Sequence, residues 1–256
     1  DMQILSGNLV SNGDFSQEGS ELVTNGDFAT DSDWTKQTSW SISGGAANYD
    51  FLSDAKYIRQ TLLSGGFVAG KVYKINFDIT SGTAYMNVSS NGGGLISLNT
   101  YSVGSYSIYV TASASGSDLL IYGRNTSGTA FSIDNVSVKE VGQDWTFGSF
   151  TNIGDNVANI VNSTGELSLQ QNIGVSQKTI KLTYTISNYS SGGIRPQYGA
   201  VNGLNRSANG TYTEIITGVS ASTNLAFFSV TTNTTATITN ISVIEISSDT
   251  NLPRID

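Results

Sequence analysis

One pattern of this chain is written twice. Residues 101–141 and 206–246 run in parallel: Tyr106 answers Tyr212 and Leu119 answers Leu225 at a constant offset. After a slip of one residue, Asn135-Val136-Ser137-Val138-Lys139-Glu140-Val141 matches Asn240-Ile241-Ser242-Val243-Ile244-Glu245-Ile246. Upstream, Val72-Tyr73-Lys74-Ile75-Asn76-Phe77-Asp78-Ile79 matches Thr179-Ile180-Lys181-Leu182-Thr183-Tyr184-Thr185-Ile186, and Ile58-Arg59-Gln60 resembles Leu169-Gln170-Gln171. Each half opens near a tryptophan, Trp34 or Trp145. A repeat of that extent confines the chain to one fold used twice, with the boundary near Gly142.

The matching segments alternate apolar and polar residues with period two, the mark of a half-buried strand. Tyr73, Ile75, Phe77 and Ile79 share one face. Turn clusters such as Ser64-Gly65-Gly66 and Asn91-Gly92-Gly93-Gly94 separate the runs, and nothing sustains a helical period. Many short strands with polar turns indicate an all-β sandwich or barrel in each half.

A shorter repeat lies at the N-terminus. Asn8-Leu9-Val10-Ser11-Asn12-Gly13-Asp14-Phe15 is echoed by Glu21-Leu22-Val23-Thr24-Asn25-Gly26-Asp27-Phe28. The second copy leads into Trp34 and Trp40 and reads as the first strand of module one. The first copy has no module directly after it, so residues 1–20 read as a module remnant or as an arm that pairs with a neighbouring chain. The expected layout is then 1–20 arm, 21–141 first module, 142–247 second module and 248–256 linker to a missing or cleaved C-terminal part.

Composition removes several functions. The chain has 256 residues, a net charge of −8, and neither cysteine nor histidine. Disulfides, thiolate metal sites and Ser-His-Asp or Cys-His catalysis are excluded. Any bound metal must be hard and oxygen-ligated. The acidic balance argues against nucleic acid and anionic membranes as partners. No apolar run is long enough to span a bilayer and no signal peptide is legible. The chain opens on Asp1, which reads as a processed product or a fragment.

Residues 21–141 resemble the carbohydrate-binding modules of the jelly-roll superfamily, particularly the cellulose- and xylan-binding group. The residues carrying this are Leu22-Val23-Thr24-Asn25-Gly26-Asp27-Phe28 followed by tryptophan, the strand Tyr73 to Ile79, and the ending Phe131-Ser132-Ile133-Asp134-Asn135-Val136-Ser137-Val138. Module two keeps the core pattern but lacks an Asn-Gly-Asp-Phe opening of its own. The resemblance implies an all-β fold of two tandem jelly-roll sandwiches. The tail Asp249-Thr250-Asn251-Leu252-Pro253-Arg254-Ile255-Asp256 is similar to linkers of bacteriophage structural and tail-fibre-like proteins. Together these imply a virion-surface or extracellular protein, with other virion subunits or copies of itself, and glycans, as partners.

In that family a structural Ca²⁺ joins the first and last strands. The resemblance puts Asp27 and Asp134 at the matching motif positions of module one. Thr239 replaces Asp134 in module two, so no equivalent is expected there. Glycan contact calls for exposed aromatic rings against the apolar sugar face, with amides, carboxylates and guanidinium groups at its hydroxyl rim. Alternation leaves Asn76 and Asp78 outward on one strand, Tyr85 and Asn87 on the next, and Tyr122 and Arg124 on a third. These six are the candidate glycan residues, expected to line one concave sheet, with Arg59 or Gln60 joining according to register. Trp34 and Trp40 read as packing residues. Module two offers Arg195, Gln197 and Lys181, with Tyr198 buried beside Ile194, a poorer platform better suited to a spacer or assembly role. The carboxylates Asp50, Asp54, Asp78 and Asp118 form no recognisable acid–base pair, and the chain reads as non-catalytic. The functions left are virion decoration with glycan contact, a binding module of a secreted polysaccharide-degrading enzyme, and pure structural assembly.

Overall fold

Alternating side chains become alternating burial. In the strand Val72–Ser81, Tyr73, Ile75, Phe77 and Ile79 are buried and the residues between them are not. The computed structural model describes residues 3–163 and 165–247, and they form two separate units. Residues 248–256, read as a linker, lie outside the described residues.

The first sandwich spans Glu18–Val141. Its strands are β1 (Thr35–Lys36), β2 (Trp40–Ser43), β3 (Ala46–Tyr49), β4 (Lys56–Thr61), β5 (Val72–Ser81), β6 (Ala84–Ser90), β7 (Gly93–Tyr101), β8 (Gly104–Thr111), β9 (Asp118–Gly123) and β10 (Phe131–Val141). They pair as two antiparallel five-stranded sheets, β1-β4-β9-β6-β7 and β2-β3-β10-β5-β8. From β4 on, the chain crosses repeatedly between the sheets, which is the jelly-roll winding. Ile58, Met86, Val88 and Ile121 from one sheet meet Tyr73, Ile75, Phe77, Ile133 and Val138 from the other in one buried cluster. Trp34 and Trp40 are both buried in it.

The second sandwich repeats the first strand for strand. Its strands are β11 (Thr146–Phe147), β12 (Thr151–Gly154), β13 (Val157–Ser163), β14 (Leu167–Asn172), β15 (Thr179–Ser191), β16 (Ile194–Tyr198), β17 (Val201–Asn202), β18 (Gly210–Thr217), β19 (Asn224–Ser229) and β20 (Thr234–Glu245). The sheets are β11-β14-β19-β16-β17 and β12-β13-β20-β15-β18, the same order advanced by ten labels. Tyr198 and Ile194 are fully buried.

The N-terminal repeat is not an arm or a remnant. Residues 3–17 belong to the second sandwich, so in the chain the first sandwich is inserted in the second rather than placed before it. The reason lies in the long last strands. β10 pairs with β3 only over Phe131 to Ile133, and β20 pairs with β13 only as far as Ile238. Asn135 and Asn240 then take left-handed conformations, φ 51° and 52°, and the remainder of each strand is left without that neighbour. An opening segment fills each gap. Val136 N donates to Gly26 O at 2.8 Å and Leu22 N to Val138 O at 3.0 Å; Ile241 N donates to Gly13 O at 2.9 Å and Leu9 N to Val243 O at 2.8 Å.

Side chains complete both seats in the same way. Gln60 accepts from Thr24 N at 2.8 Å and donates to Thr24 O at 2.7 Å, while Gln171 does the same to Ser11 at 2.8 and 2.9 Å. Trp34 Nε1 donates to Asn25 O and Trp145 Nε1 to Asn12 O. Phe28 packs on Trp34 with ring centroids 5.1 Å apart, and Phe15 on Trp145 at 5.4 Å. Module two therefore does possess an Asn-Gly-Asp-Phe opening, supplied from upstream of module one.

Candidate functional site

Outside the core, the outer face of β4, β9 and β6 gathers half-exposed aromatic and hydrogen-bonding side chains. Pairing puts Tyr57, Tyr122 and Asn87 in one row across the three strands. Arg59, Leu120 and Ser89 form the next row. On the other side Arg124 N donates to Tyr85 O at 2.9 Å, and Tyr85 pairs with Thr100. Adjacent strands lie about 4.8 Å apart and successive outward residues about 6.7 Å, so these rows form one continuous surface. Tyr57 and Tyr122 pack edge to face, centroids 5.3 Å apart.

The polar groups of this surface are held to different degrees. Arg124 grips Asp54 through two bonds, Nε to Oδ1 at 3.1 Å and Nη2 to Oδ2 at 3.3 Å. The Asn125 backbone N–H and the Arg124 guanidinium keep the Asp54 carboxyl below its ordinary range. Arg59 lies 3.7 Å from Asp118. Asn87 makes only a long bond, Nδ2 to Ser89 Oγ at 3.4 Å. Beside it a groove of about 440 Å³ is bounded by Asn87, Ser89, Leu95, Leu98 and Arg124.

The six residues chosen from sequence do not share this face. Tyr85, Asn87, Tyr122 and Arg124 are brought together; Asn76 and Asp78 stand on β5, in the opposite sheet. There Asn76 Oδ1 accepts from Ser107 Oγ and Asp78 Oδ2 from Asn135 Nδ2 at 2.7 Å, in a separate groove with Lys74. The chain turns at Gly82 (φ 74°) and crosses to the other sheet before β6. Alternation distinguishes inward from outward along a strand but carries no label for the sheet. Arg59 joins the platform, whereas Gln60 points inward and clamps the opening segment. Tyr57 was missed, although the phase that buries Ile58 turns it outward.

Asp27 and Asp134 each hold a local backbone bond. Asp27 Oδ1 accepts from Ala29 N at 3.3 Å and Asp134 Oδ1 from Asn135 N at 2.6 Å. No group of three or more acidic side chains gathers anywhere among the described residues. Calcium needs six to eight oxygens, so at this pair backbone carbonyls or water would have to supply most of them.

The equivalent face of the second sandwich keeps a single half-exposed aromatic of the row, Phe228. Strand pairing sets Leu167, Phe228 and Arg195 where the first sandwich has Tyr57, Tyr122 and Asn87, and the bond from Val230 N to Gly193 O sets Gly193 where it has Tyr85. Lys181, grouped with Arg195 and Gln197 from sequence, sits on β15 in the other sheet. What is distinctive here is a buried polar knot. Tyr184 donates to Glu214 Oε1 at 2.9 Å, Arg206 Nε donates to the same oxygen at 3.2 Å, and Leu204 N donates to Oε2 at 2.8 Å. Burial, then the Glu214 carboxylate, pushes the Tyr184 hydroxyl far above the usual phenol range. Register places Phe77 and Ile108 at the positions of Tyr184 and Glu214 in the first sandwich. The signal in the sequence was Glu214, in phase with the buried Ile216.

No known family model and no curated protein sequence matches the chain. Among solved structures, it is similar to the N-terminal CBM22-1-CBM22-2 tandem domain of Xyn10C from Paenibacillus barcinonensis, with 10% identity and a TM-score of 0.38, over 90% of this chain and 99% of that one. It is similar also to a Paenibacillus xanthan lyase, with 14% identity and a TM-score of 0.29, over 86% of this chain and 25% of that one. An anti-sigma factor domain-containing protein aligns at 10% identity and a TM-score of 0.21, over 92% of this chain and 96% of that one.

Proposed function

We propose that the chain is a non-catalytic glycan-contacting protein whose working surface is the outer face of β4, β9 and β6 in the first sandwich. The observation that carries this is the Tyr57, Tyr122, Asn87 row flanked by Tyr85, Arg59 and Arg124 on one continuous sheet. Tyrosine rings offer an apolar surface to sugar C–H groups, and their hydroxyls stay available at the rim. Asn87 and the guanidinium groups meet sugar hydroxyls, and the Asp54 grip fixes Arg124 before a ligand arrives, which reduces the ordering cost of binding. Asn76 and Asp78 are not part of this surface. The second sandwich, without the aromatic row, serves as spacer or assembly unit.

The setting we propose is a virion surface or another extracellular surface, with virion subunits or copies of the chain as neighbours. It rests on the tail sequence 249–256; capsid or tail genes beside the coding gene would support it, and a polysaccharide-degrading domain encoded downstream would replace it. The surface itself is tested by glycan-array binding. Wild type should bind at least one neutral polysaccharide. Tyr122→Ala should weaken that binding roughly thirtyfold, a loss of about 2 kcal/mol for a central aromatic contact, without altering the melting of the second sandwich. Asn76→Ala should bind like wild type. No binding at millimolar ligand, or equal loss in the Asn76 variant, ends this reading.

A further inference from the structure

The second sandwich is assembled from two separate pieces of chain. Its short piece, ending at Gln17, is joined directly to Glu18, the first residue of a different folded unit. Among the described residues, the bonds that seat this piece come from beyond Gly142. Val243 O and Glu245 O accept from Leu9 N and Leu5 N, and Ile241 N donates to Gly13 O. Val243 N donates to the Asn8 side chain, Gln171 clamps Ser11, and Trp145 holds Asn12 O.

The seat is selective. Any side chain at position 13 would bring its Cβ within 2.0 Å of Ile241 O, so only glycine fits. Asn12 occupies the left-handed region at φ 48°, which asparagine tolerates better than most residues. Phe15 needs the faces of Trp145 and Phe147, at 5.4 and 6.3 Å. The first sandwich builds the same seat for residues 22–28, but there the segment runs on within seven residues into its own Trp34 and β1. The two openings thus differ in tether, not in chemistry.

We propose that the groove along β20 recognises Leu9-Val10-Ser11-Asn12-Gly13-Asp14-Phe15 in trans, and that copies of this chain link by seating residues 3–17 of one copy in the second sandwich of another. The contacts of the exchanged state are those of the closed state, so exchange sacrifices no interaction and is opposed only by association entropy. The Gln17–Glu18 junction has no spare linker, the arrangement in which a short hinge favours exchange. Closed monomers prevail in dilute solution, where the tethered segment has the higher effective concentration, and linkage grows with protein concentration.

The test uses two full-length variants. Gly13→Val has an intact groove and an opening that cannot seat; Trp145→Ala with Gln171→Ala has an intact opening and a damaged groove. Each alone should lose the second-sandwich melting transition. Mixed at equal amounts, they should form a 1:1 complex of twice the monomer mass by light scattering, and the transition should return. A synthetic peptide of residues 3–17 should restore Gly13→Val in the same way, and the same peptide carrying Gly13→Val should not. Gly13→Ala replaces Gly13→Val if the latter aggregates. Two unaltered monomers on mixing, or equal rescue by the glycine-less peptide, overturns the proposal.

Discussion

Tyr184 shows how one residue reads out its surroundings. Its phenol is buried against the Glu214 carboxylate, and both raise its pKa above the ordinary 10. A group with a raised folded-state pKa stabilises fully below its unfolded value and loses that contribution as pH climbs past it. The second sandwich should therefore destabilise above about pH 10. Tyr184→Phe should flatten that alkaline loss in a pH-dependent melt; an unchanged slope would show that Tyr184 does not govern it. Asp27 and Asp134 are each occupied by a nearby backbone amide. Whether Ca²⁺ joins them is read from the melting of the first sandwich in EDTA and in millimolar Ca²⁺: a rise with calcium would place the metal there and no shift would remove it, since a ligand of the folded state alone must stabilise it.

At the level of elements, the opening segments behave as inserted strands whose seats are closed by one glutamine each. Gln60→Ala leaves the N–H and C=O of Thr24 without their partner and should cost the first sandwich roughly 1–2 kcal/mol. The second-sandwich transition should stay where it is. Gln171→Ala should do the reverse through Ser11. Equal effects of both substitutions on both transitions would mean that the openings are not assigned as the hydrogen bonds place them. Gly26 carries the same constraint as Gly13, since a Cβ there would stand 1.9 Å from Val136 O. The strand faces were legible for the same reason that the seats were not. Burial follows period two along a strand, whereas a seat depends on where a neighbouring strand stops.

Across the whole molecule, two cores should mean two unfolding events. The buried cluster around Phe77, Met86 and Ile133 is drawn wholly from the first sandwich. Phe77→Ala should remove about 3–5 kcal/mol from that unit. In calorimetry the first-sandwich transition should fall while the other holds, and a single shared transition that moves as one would contradict independent cores. The nested order also predicts something a simple tandem would not. Deleting residues 1–17 should abolish the second-sandwich transition, at the far end of the sequence, and spare the adjacent first sandwich.

The sequence alone determined the all-β class, the duplication, the strand phases and the buried tryptophans, because all of these follow from local periodicity and self-similarity. It also brought forward Tyr85, Asn87, Tyr122 and Arg124 as outward residues. Only the tertiary structure decided that Asn76 and Asp78 face away from them on the other sheet, that Tyr57 completes the row, and that the first Asn-Gly-Asp-Phe copy belongs to the distant module. Each of those rests on pairing between segments far apart in the chain. A β-ladder is specified by hydrogen bonds between strands, and a single strand's sequence does not record which neighbour will make them.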